Sequence, residues 1–350
     1  MTLPATMSGW LLTGHGGPEM LDWRTDLPVP QPGPGEVLIR VLASSVNNTD
    51  INTRIGWYSK SVRGATAGAR TAADDGGWAG ALDFPRIQGA DCCGRIVGTG
   101  EGVDAGRIGE RVVCRAMYRP EGGGPFGIAT YGSERDGSFA EYAVARAKDA
   151  IAVRDPAIPD AALGVLPCAY TTGEAMLERV GLGAERVLVT GASGGVGLAA
   201  VQLARLRGAT VTAVAGDGKA AAVRDAGATE VIGRDDPFPA EQDVVVDLVA
   251  GPRWPALLAA LGPGGRYVAS GAIAGPIVEL DIRDLYLRDL TLMGSTSQPD
   301  AILPRLVAYM EAGRLSPVIA RNFELRDLPA AQAAFEAKDH VGKIALRVAA

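Results

Sequence analysis

The clearest pattern of hydrophobic and polar positions lies in the second half of the chain, where short apolar runs alternate with amphipathic stretches rich in Ala and Leu. A continuous apolar run rich in β-branched residues is typical of a strand buried in a parallel sheet. The predicted strands are residues 187–190, 210–214, 230–232, 243–249, 266–270 and 290–293. Strands that alternate with helices in this way indicate a doubly wound α/β sheet.

The first half of the chain follows a different pattern. Residues 36–43 alternate well enough between hydrophobic and polar side chains to predict a strand of an antiparallel, barrel-like domain. Further strand and turn patterns lie at residues 85–100, 109–115, 137–144, 150–153 and, in the tail, 342–348. Helices are predicted at residues 160–177, 301–312 and 328–337. Residues 59–84 are mostly small or polar, which predicts a long surface loop.

A glycine-rich turn, G-A-S-G-G-V-G, directly follows the predicted strand at 187–190 and leads into a helical pattern. Strand, glycine turn and helix open a dinucleotide-binding unit. Gly194 and Gly195 lack a Cβ, so their backbone can approach a pyrophosphate, and Gly197 allows the helix to pack tightly on the strand. The helix N-terminus would face the phosphates. The strict G-x-G-x-x-G pattern would need Gly where this chain has Ala192.

Composition restricts the class of protein. The 350 residues are 47% hydrophobic and 21% charged, with a net charge of −6, which argues against a nucleic-acid or anionic-membrane surface. No apolar run reaches the roughly 18 residues that a membrane span needs. The four cysteines form no C-x-x-C pair, so they are interpreted as reduced thiols of a cytoplasmic protein.

With these pieces in place, the chain resembles the medium-chain dehydrogenase/reductase superfamily, and most of all its zinc-independent quinone oxidoreductase branch. The resemblance rests on the order and spacing of P-G-P-G-E-V-L-I-R-V, S-V-N-N-T-D, Q-G-A-D-C-C-G-R-I-V, G-S-F-A-E-Y, C-A-Y-T-T-G, V-T-G-A-S-G-G-V-G, L-G-P-G-G-R-Y-V, G-A-I-A-G and V-G-K-I-A-L. It implies a GroES-like, β-rich catalytic domain of residues 1–155 and 298–350. A Rossmann domain with a doubly wound parallel sheet, residues 156–297, would be inserted between them, with the active site in the cleft.

The resemblance also allows the metal ligands to be counted. Zinc-dependent relatives place Cys, His and Cys where this chain has Asn47, Ala90 and Cys168. A catalytic zinc needs three protein ligands, and one thiol cannot hold it. The two histidines, His15 and His340, lie outside these motifs. We therefore expect no metal, and Cys168 is interpreted as a vestige or a packed thiol.

A protein without a metal ion as Lewis acid can catalyse the reduction of a conjugated acceptor more easily than the oxidation of an alcohol. Hydride would pass to an enone or a quinone, and the developing oxyanion would need a hydrogen-bond donor and a proton source. The resemblance places Asn47, Asp50 and Tyr58 in the cleft. Tyr58 is the expected donor, although its ring could instead pack against Trp57. Asn47 would orient the substrate or the nicotinamide ribose, and Asp50 could simply cap the helix that follows.

The choice between NADPH and NADH depends on the tip of the second strand. An NAD-dependent enzyme typically carries an acidic residue at the tip of this strand. The sequence places Ala215 at the tip, followed by Gly216, and then Lys219; the resemblance adds Arg234 as an adenosine contact. Small and basic residues suit a 2′-phosphate, so NADPH is predicted, whereas Asp217 argues for NADH.

Other cofactor contacts are expected at two segments. Thr172 matches a position where relatives touch the nicotinamide, although it could instead bond back to its own helix. Residues 271–275 follow a strand at the carboxyl edge, where open α/β sheets bind ligands. The full set of expected cofactor contacts is Thr172, Ala192, Ser193, Gly194, Gly195, Val196, Gly197, Gly216, Lys219, Arg234, Gly271, Ala272, Ile273 and Lys343.

These observations predict an NADPH-dependent reductase of quinones or α,β-unsaturated carbonyls that acts on a small molecule. Two alternatives stay open: an enoyl-thioester reductase, and a nucleotide-binding protein with little turnover. The loop at 59–84, which is longer than in relatives, is interpreted as a lid or as a surface insertion. The resemblance further implies a homo-oligomer that pairs near Leu290.

Overall fold

The computed structural model describes residues 3–67, 75–124 and 126–348, and these residues form two large sheets with helices around them. The strands are β1 Thr6–Leu12, β2 Leu21–Pro28, β3 Glu36–Val46, β4 Cys92–Thr99, β5 Arg111–Cys114, β6 Met117–Tyr118, β7 Ala129–Thr130, β8 Tyr142–Arg146, β9 Ala150–Ala152, β10 Arg186–Val189, β11 Thr210–Val214, β12 Glu230–Ile232, β13 Gln242–Asp247, β14 Leu261–Ala269, β15 Thr291–Gly294, β16 Ile319–Glu324 and β17 Lys343–Arg347.

The helices flank these strands in chain order. They are α1 Asn48–Arg54, α2 Asp160–Gly164, α3 Ala169–Arg179, α4 Gly195–Leu206, α5 Ala220–Asp225, α6 Trp254–Ala260, α7 Ile282–Tyr286, α8 Ile302–Glu311 and α9 Leu328–Glu336. The predicted helix at 160–177 is wrong in one respect, because it is split into α2 and α3. Pro167 lies at the break, and it has no N–H for a helical bond and restricts the residue before it.

The second half of the chain forms a six-stranded parallel sheet in the order β12-β11-β10-β13-β14-β15. This order reverses at β10, as in the Rossmann fold, and ligands of such sheets bind where the order reverses. Val187, Leu188 and Val189 of β10 are fully buried, as expected for a central parallel strand. The predicted doubly wound sheet is confirmed.

The second large sheet joins both ends of the chain. Its order is β16-β17-β3-β4-β5-β9, and β8 pairs with β3 as well. The tail strand β17 pairs antiparallel with β3, with Ile344 opposite Val46. Lys343 at the start of β17 is thereby brought to the end of β3, close to Asn47. The predicted GroES-like, β-rich domain is confirmed.

Three buried clusters form the core of the described residues. Val37 and Ile344 belong to the cluster of the β-rich half, whereas Val187 and Leu188 belong to two separate clusters that pack on the parallel sheet. Leu306 of α8 packs in the same cluster as Val187.

The domain boundaries predicted at residues 155/156 and 297/298 remain a prediction. Among the described residues, no helix is both long and apolar enough to cross a membrane.

Candidate active-site cleft

The turn between β10 and α4 has the geometry that its glycines suggest. Gly191 has a φ of +58°, a conformation that favours glycine. A Cβ on Gly197 would lie 2.3 Å from the carbonyl oxygen of Gly191, so the helix packs directly on the turn. A Cβ on Gly194 would come no closer than 3.4 Å to that oxygen. The first N–H groups of α4, beginning at Gly195, have no partner within the helix.

A buried carboxylate ties together the carboxyl ends of three strands next to this turn. Asp247 accepts hydrogen bonds from the hydroxyls of Thr190 and Tyr267, each at 2.6 Å. It also accepts from the backbone N–H of Val249 at 2.9 Å. Asp247 is fully buried, so these donors satisfy a charge that water cannot reach. The network fixes the strand edge beneath the turn.

On the other side of the cleft, four side chains form what we call the buried quartet: Ser45, Asn47, Asp91 and Lys343. The Asp91 carboxylate accepts hydrogen bonds from the Ser45 hydroxyl, from Nδ2 of Asn47 at 2.8 Å and from Nζ of Lys343 at 3.3 Å. Its other oxygen accepts from the backbone N–H of Cys168 at 2.6 Å. The exposed fractions are 0% for Asp91 and 2% for Lys343.

The ammonium group of Lys343 uses all of its three donors within this network. Besides Asp91, it donates to Oδ1 of Asn47 and to the carbonyl oxygen of Val46 at 3.2 Å. Its aliphatic stem lies against the dinucleotide turn, because a Cβ on Gly195 would be 2.6 Å from Cδ of Lys343. Lys343 and Asn47 were predicted for the cofactor and the substrate; the structure places both in the wall of the cleft, bonded to each other.

Asp50 is the third residue of the short helix α1 and lies next to the quartet. Its carboxylate accepts a hydrogen bond of 2.8 Å from the backbone N–H of Asn47, which closes a capping box. The pKa of Asp50 is raised from 3.8 to about 7: burial and, to a smaller extent, the charge of Asp91 raise it, and its hydrogen bonds and Lys343 offset part of this rise. The carboxyl group therefore changes its charge near neutral pH.

Tyr58 stands between two tryptophans. Its ring centroid is 5.7 Å from that of Trp57 and 4.7 Å from that of Trp78, both in edge-on contact. Burial raises the pKa of Tyr58 well above its usual value, and hydrogen bonding with Thr49 and Asn52 lowers it by less. The phenol is therefore protonated at neutral pH. Tyr58 does pack against Trp57, and the packing leaves its hydroxyl directed towards the polar side chains of α1.

Part of the predicted loop at 59–84 crosses to the parallel-sheet half of the molecule. The N–H of Thr66 donates to the carbonyl oxygen of Ile273 at 3.1 Å. The indole N–H of Trp57 donates to the carbonyl oxygen of Gly64 at 3.2 Å, which fixes the near end of the segment. The middle of the predicted loop, residues 68–74, lies outside the described residues. The choice between lid and insertion remains a prediction.

The remaining expected contacts of the nicotinamide end lie on two neighbouring segments. Thr172 is on α3, and its hydroxyl accepts a hydrogen bond from Nε2 of Gln298 at 3.2 Å. The bond back to its own helix is made by Thr171, which donates to the carbonyl of Pro167. Residues 271–273 follow β14 at the carboxyl edge, where a Cβ on Gly271 would be 3.0 Å from the Leu248 carbonyl oxygen. Their contact with a cofactor remains a prediction.

At the tip of β11, basic side chains from two distant parts of the chain meet, and we call Lys219, Arg234, Lys338 and His340 the basic cluster. The Lys219 ammonium donates to the carbonyl oxygen of Lys338. The Arg234 guanidinium lies 3.1 Å from the place of a Cβ on Gly216. Partial burial and the nearby Arg234 lower the pKa of Lys219. In the described part of the chain, no carboxylate forms an ion pair with Lys219 or Arg234.

The positions of the zinc ligands in relatives lie around the buried quartet. They carry an amide at Asn47, a methyl at Ala90 and a thiol at Cys168. Burial and the charge of Asp91 raise the pKa of Cys168, which disfavours the thiolate that a metal needs. No three His, Cys, Asp or Glu side chains are grouped as metal ligands within residues 3–67, 75–124 and 126–348.

Sequence reasoning missed several residues of the cleft. Asp91 could have been found, because it directly follows Ala90, the position at which zinc-dependent relatives are expected to place a His ligand. Asp247 lies within the predicted strand at 243–249 and ends the observed strand β13, and a single carboxylate in an apolar run is a weak signal. Lys338 and His340 could not have been predicted, since nothing in the sequence around them indicates that they lie near Lys219.

Comparisons with known proteins agree with this architecture. The alcohol dehydrogenase GroES-like domain matches residues 33–155, and the zinc-binding dehydrogenase family matches residues 218–346. A solved structure from Sinorhizobium meliloti 1021, provisionally assigned as an alcohol dehydrogenase, is 44% identical with a TM-score of 0.89, over 99% of this chain and 98% of that one.

Two curated relatives are similar over most of the chain. A quinone oxidoreductase of Lama guanicoe is 32% identical over 89% of this chain and 88% of its own length. An acryloyl-coenzyme A reductase of Metallosphaera sedula is 28% identical over 91% of this chain and 93% of its own length. The chain therefore belongs to the medium-chain dehydrogenase/reductase superfamily, where it is quinone oxidoreductase-like, and it is an NAD(P)-dependent oxidoreductase.

Proposed function

We propose that the protein is an NADPH-dependent reductase that transfers hydride to a quinone or an α,β-unsaturated carbonyl without a metal. The observation that carries the proposal is the buried quartet. Where zinc-dependent relatives have Cys and His ligands, this chain has Asn47 and Ala90, and Asn47 is bonded to Asp91 and Lys343. A neutral amide and a methyl group offer no ligand to zinc, so the substrate oxygen must be stabilised by hydrogen bonds.

The residues of the turn between β10 and α4 fit a dinucleotide. The Lys343 stem and Ala169 lie against Gly195 in the turn at 191–197, whereas no side chain comes within 4 Å of the place of a Cβ on Gly194, and this open space suits a pyrophosphate. Ala192, Ser193 and Val196 would contribute backbone contacts there. When bound, NADPH supplies the hydride at the nicotinamide, which we place near Thr172 and residues 271–273.

NADPH is favoured over NADH by the basic cluster. Lys219 and Arg234 form no ion pair among the described residues, although Asp339 is near enough to act on Lys219, and Lys338 adds a third cation from another part of the chain. A 2′-phosphate would satisfy these donors with charge-assisted hydrogen bonds. Asp217, the carboxylate that argues for NADH, is exposed beside Gly216.

Tyr58 is the proposed catalytic residue. Its raised pKa keeps the phenol protonated, so the phenol can donate to the oxyanion that develops when hydride reaches the acceptor. Asn47 caps the N-terminus of α1, the helix whose polar side chains the phenol contacts, and its amide is fixed by Lys343 and Asp91. Asp50, whose pKa is about 7, is close enough to be part of the proton supply.

An enoyl-thioester reductase is the second candidate. It is favoured by the acryloyl-coenzyme A reductase of Metallosphaera sedula, which is similar over 91% of this chain. Both candidates reduce a carbon–carbon double bond conjugated to a carbonyl, so they differ in the group beyond the carbonyl and not in the chemistry of the step.

The proposal is tested by following the oxidation of NADPH and NADH at 340 nm with a 1,4-quinone, a simple enone and acryloyl-coenzyme A, before and after chelation. We expect chelator-resistant turnover with NADPH. Tyr58→Phe should lower kcat by about 10²–10⁴, whereas Tyr286→Phe, at an exposed site, should leave it unchanged. Loss of turnover on chelation, restored by zinc, would contradict the metal-free mechanism. Tight NADPH binding without turnover would favour a nucleotide-binding protein instead.

We also propose that two copies associate through the edge of the parallel sheet. The edge strand is β15, and the preceding segment exposes apolar side chains such as Ile277, Ile282 and Leu287. Burying such a patch against a second copy would stabilise a dimer. The cytoplasmic location and the domain boundaries at residues 155/156 and 297/298 remain predictions.

A further inference from the structure

Residues 338–340 connect α9 with β17 and run beside the tip of β11. The backbone carbonyl of Lys338 accepts the hydrogen bond of Lys219, and Lys338 itself has a φ of +54°. The ammonium of Lys338 lies 3.8 Å from the ring centroid of Phe335 and donates to Oδ1 of Asn48 at 3.2 Å. Lys219 therefore ties the segment to the turn after β11, and Asn48 ties it to the start of α1.

His340 lies inside this segment and is not used by the proposed reaction. Its side chain is only 6% exposed, and its ring centroid is 5.7 Å from that of Phe335. Its Nδ1 is buried, makes no hydrogen bond and lies 3.9 Å from the nearest oxygen of Asp339. A buried polar atom without a partner costs free energy, so the structure leaves His340 with unused hydrogen-bonding capacity.

The charges that face His340 are mostly positive. Lys338 and Asp339 come from its own segment, Lys219 from the turn after β11, and Arg321 from β16. The carboxylate of Asp339 is shared with Arg321, at 3.1 Å. Burial, followed by Lys338 and Lys219, lowers the pKa of His340 below 6.5, against the opposite effect of Asp339. The imidazole is therefore neutral at neutral pH when no anion is bound.

We propose that His340 takes up one proton from solvent when the 2′-phosphate of the coenzyme binds in the basic cluster, so that the preference for NADPH over NADH increases as the pH falls. The inference rests on the proposed preference for NADPH. A phosphate dianion among Lys219, Arg234 and Lys338 cancels the positive potential that opposes the imidazolium. NADH lacks this phosphate, so its binding would cause no proton uptake at His340.

The direction of the pH effect follows from the linkage between proton binding at His340 and binding of the coenzyme. Phosphate binding raises the pKa of His340, so the coenzyme binds more tightly at a pH where His340 is protonated. The affinity gain appears as the pH falls through the pKa of the complex, and it is complete below the pKa of the free protein. A shift of one pKa unit corresponds to an about tenfold difference in affinity between the two limits.

The chain has two histidines, which makes a direct test practical. The His340 ring signal is followed by NMR from pH 5.5 to 8.5 in the free protein, with NADP⁺ and with NAD⁺, and His15→Gln assigns the signals. We expect NADP⁺ to raise the pKa of His340 by about one unit or more, and NAD⁺ to leave it unchanged.

Dissociation constants of both coenzymes over the same pH range form the second part of the test, for the unaltered protein, His340→Gln and His15→Gln. The coenzyme's own phosphate titrates equally in all three, so the difference isolates His340. We expect the extra tightening of NADP⁺ at low pH to be lost in His340→Gln alone. Equal pH dependence in all three, with NADP⁺ still preferred, would overturn this inference. Absence of any preference for NADP⁺ would instead overturn the proposed coenzyme.

Discussion

The cleft contains two groups of charged side chains that differ in how fully they are paired. In the buried quartet, Asp91 and Lys343 are almost inaccessible to water, and every donor of the Lys343 ammonium has an acceptor. In the basic cluster, Lys219 and Arg234 form no ion pair among the described residues, only Asp339 acts on Lys219 from a greater distance, and Arg234 is exposed. Paired buried charges hold a structure in place, whereas unpaired accessible cations are available to an anion.

This difference assigns separate tasks to the two groups. The quartet joins the end of β3 to the start of β17 and so fixes Asn47 next to the dinucleotide turn. The basic cluster joins the tip of β11 to residues 338–340 by one hydrogen bond. Substitutions in the quartet should therefore affect stability, and substitutions in the basic cluster should affect the choice of coenzyme.

The largest expected effect belongs to Asp91→Asn. The substitution leaves the Lys343 ammonium buried without a counter-charge, which should lower the free energy of unfolding by about 3–5 kcal/mol. Urea denaturation measures the loss. Adding Lys343→Met should recover part of it, because the unpaired charge is then removed as well.

The matched control is Asp26→Asn, which breaks the exposed ion pair with Arg24 at 2.8 Å. Exposed pairs of this kind contribute little, so its stability should stay close to that of the unaltered protein. If Asp91→Asn were no more destabilising than Asp26→Asn, the quartet would not hold the fold together as described.

Asp50→Asn should have a smaller effect on the free energy of unfolding, and this effect should depend on pH. The Asp50 pKa of about 7 in the folded protein is above the ordinary 3.8, so the folded state binds the proton more tightly than the unfolded state. The contribution of Asp50 to stability is therefore complete below about pH 4 and is lost as the pH rises to about 7. The stability difference between the unaltered protein and Asp50→Asn should fall by about 1.4 kcal/mol per pH unit over this range. A difference that does not change with pH would mean that burial does not perturb Asp50.

The parts of the molecule that follow from local chemistry could be predicted from the sequence. The strand at 210–214 lies where its apolar run indicates, because a strand buried on both faces needs such a run. The strand at 230–232 is also where it was predicted, although it lies at the sheet edge and is only partly buried. Gly197 packs on the turn as expected, since the Cβ of any other residue there would lie only 2.3 Å from the carbonyl oxygen of Gly191. Tyr58 and Asp50 are near each other because α1 and the turn after it hold both.

The rest depends on contacts between distant parts of the chain. Lys343 and Asp91 are 252 positions apart, and only the register of β17 on β3 brings them together. Lys219 and Lys338 are 119 positions apart, so neither predicts the other. The break at Pro167 was missed because the helical pattern of hydrophobic residues continues on both sides of it.

The most direct test of the comparison is the ratio of kcat/KM for NADPH to kcat/KM for NADH in the double variant Lys219→Ala/Arg234→Ala. Removing two cations from a phosphate site should lower the NADPH value by about tenfold to a hundredfold and leave the NADH value and the unfolding midpoint unchanged. If the ratio stayed the same, or if both coenzymes lost affinity together, the unpaired cations would not be the site that selects the coenzyme.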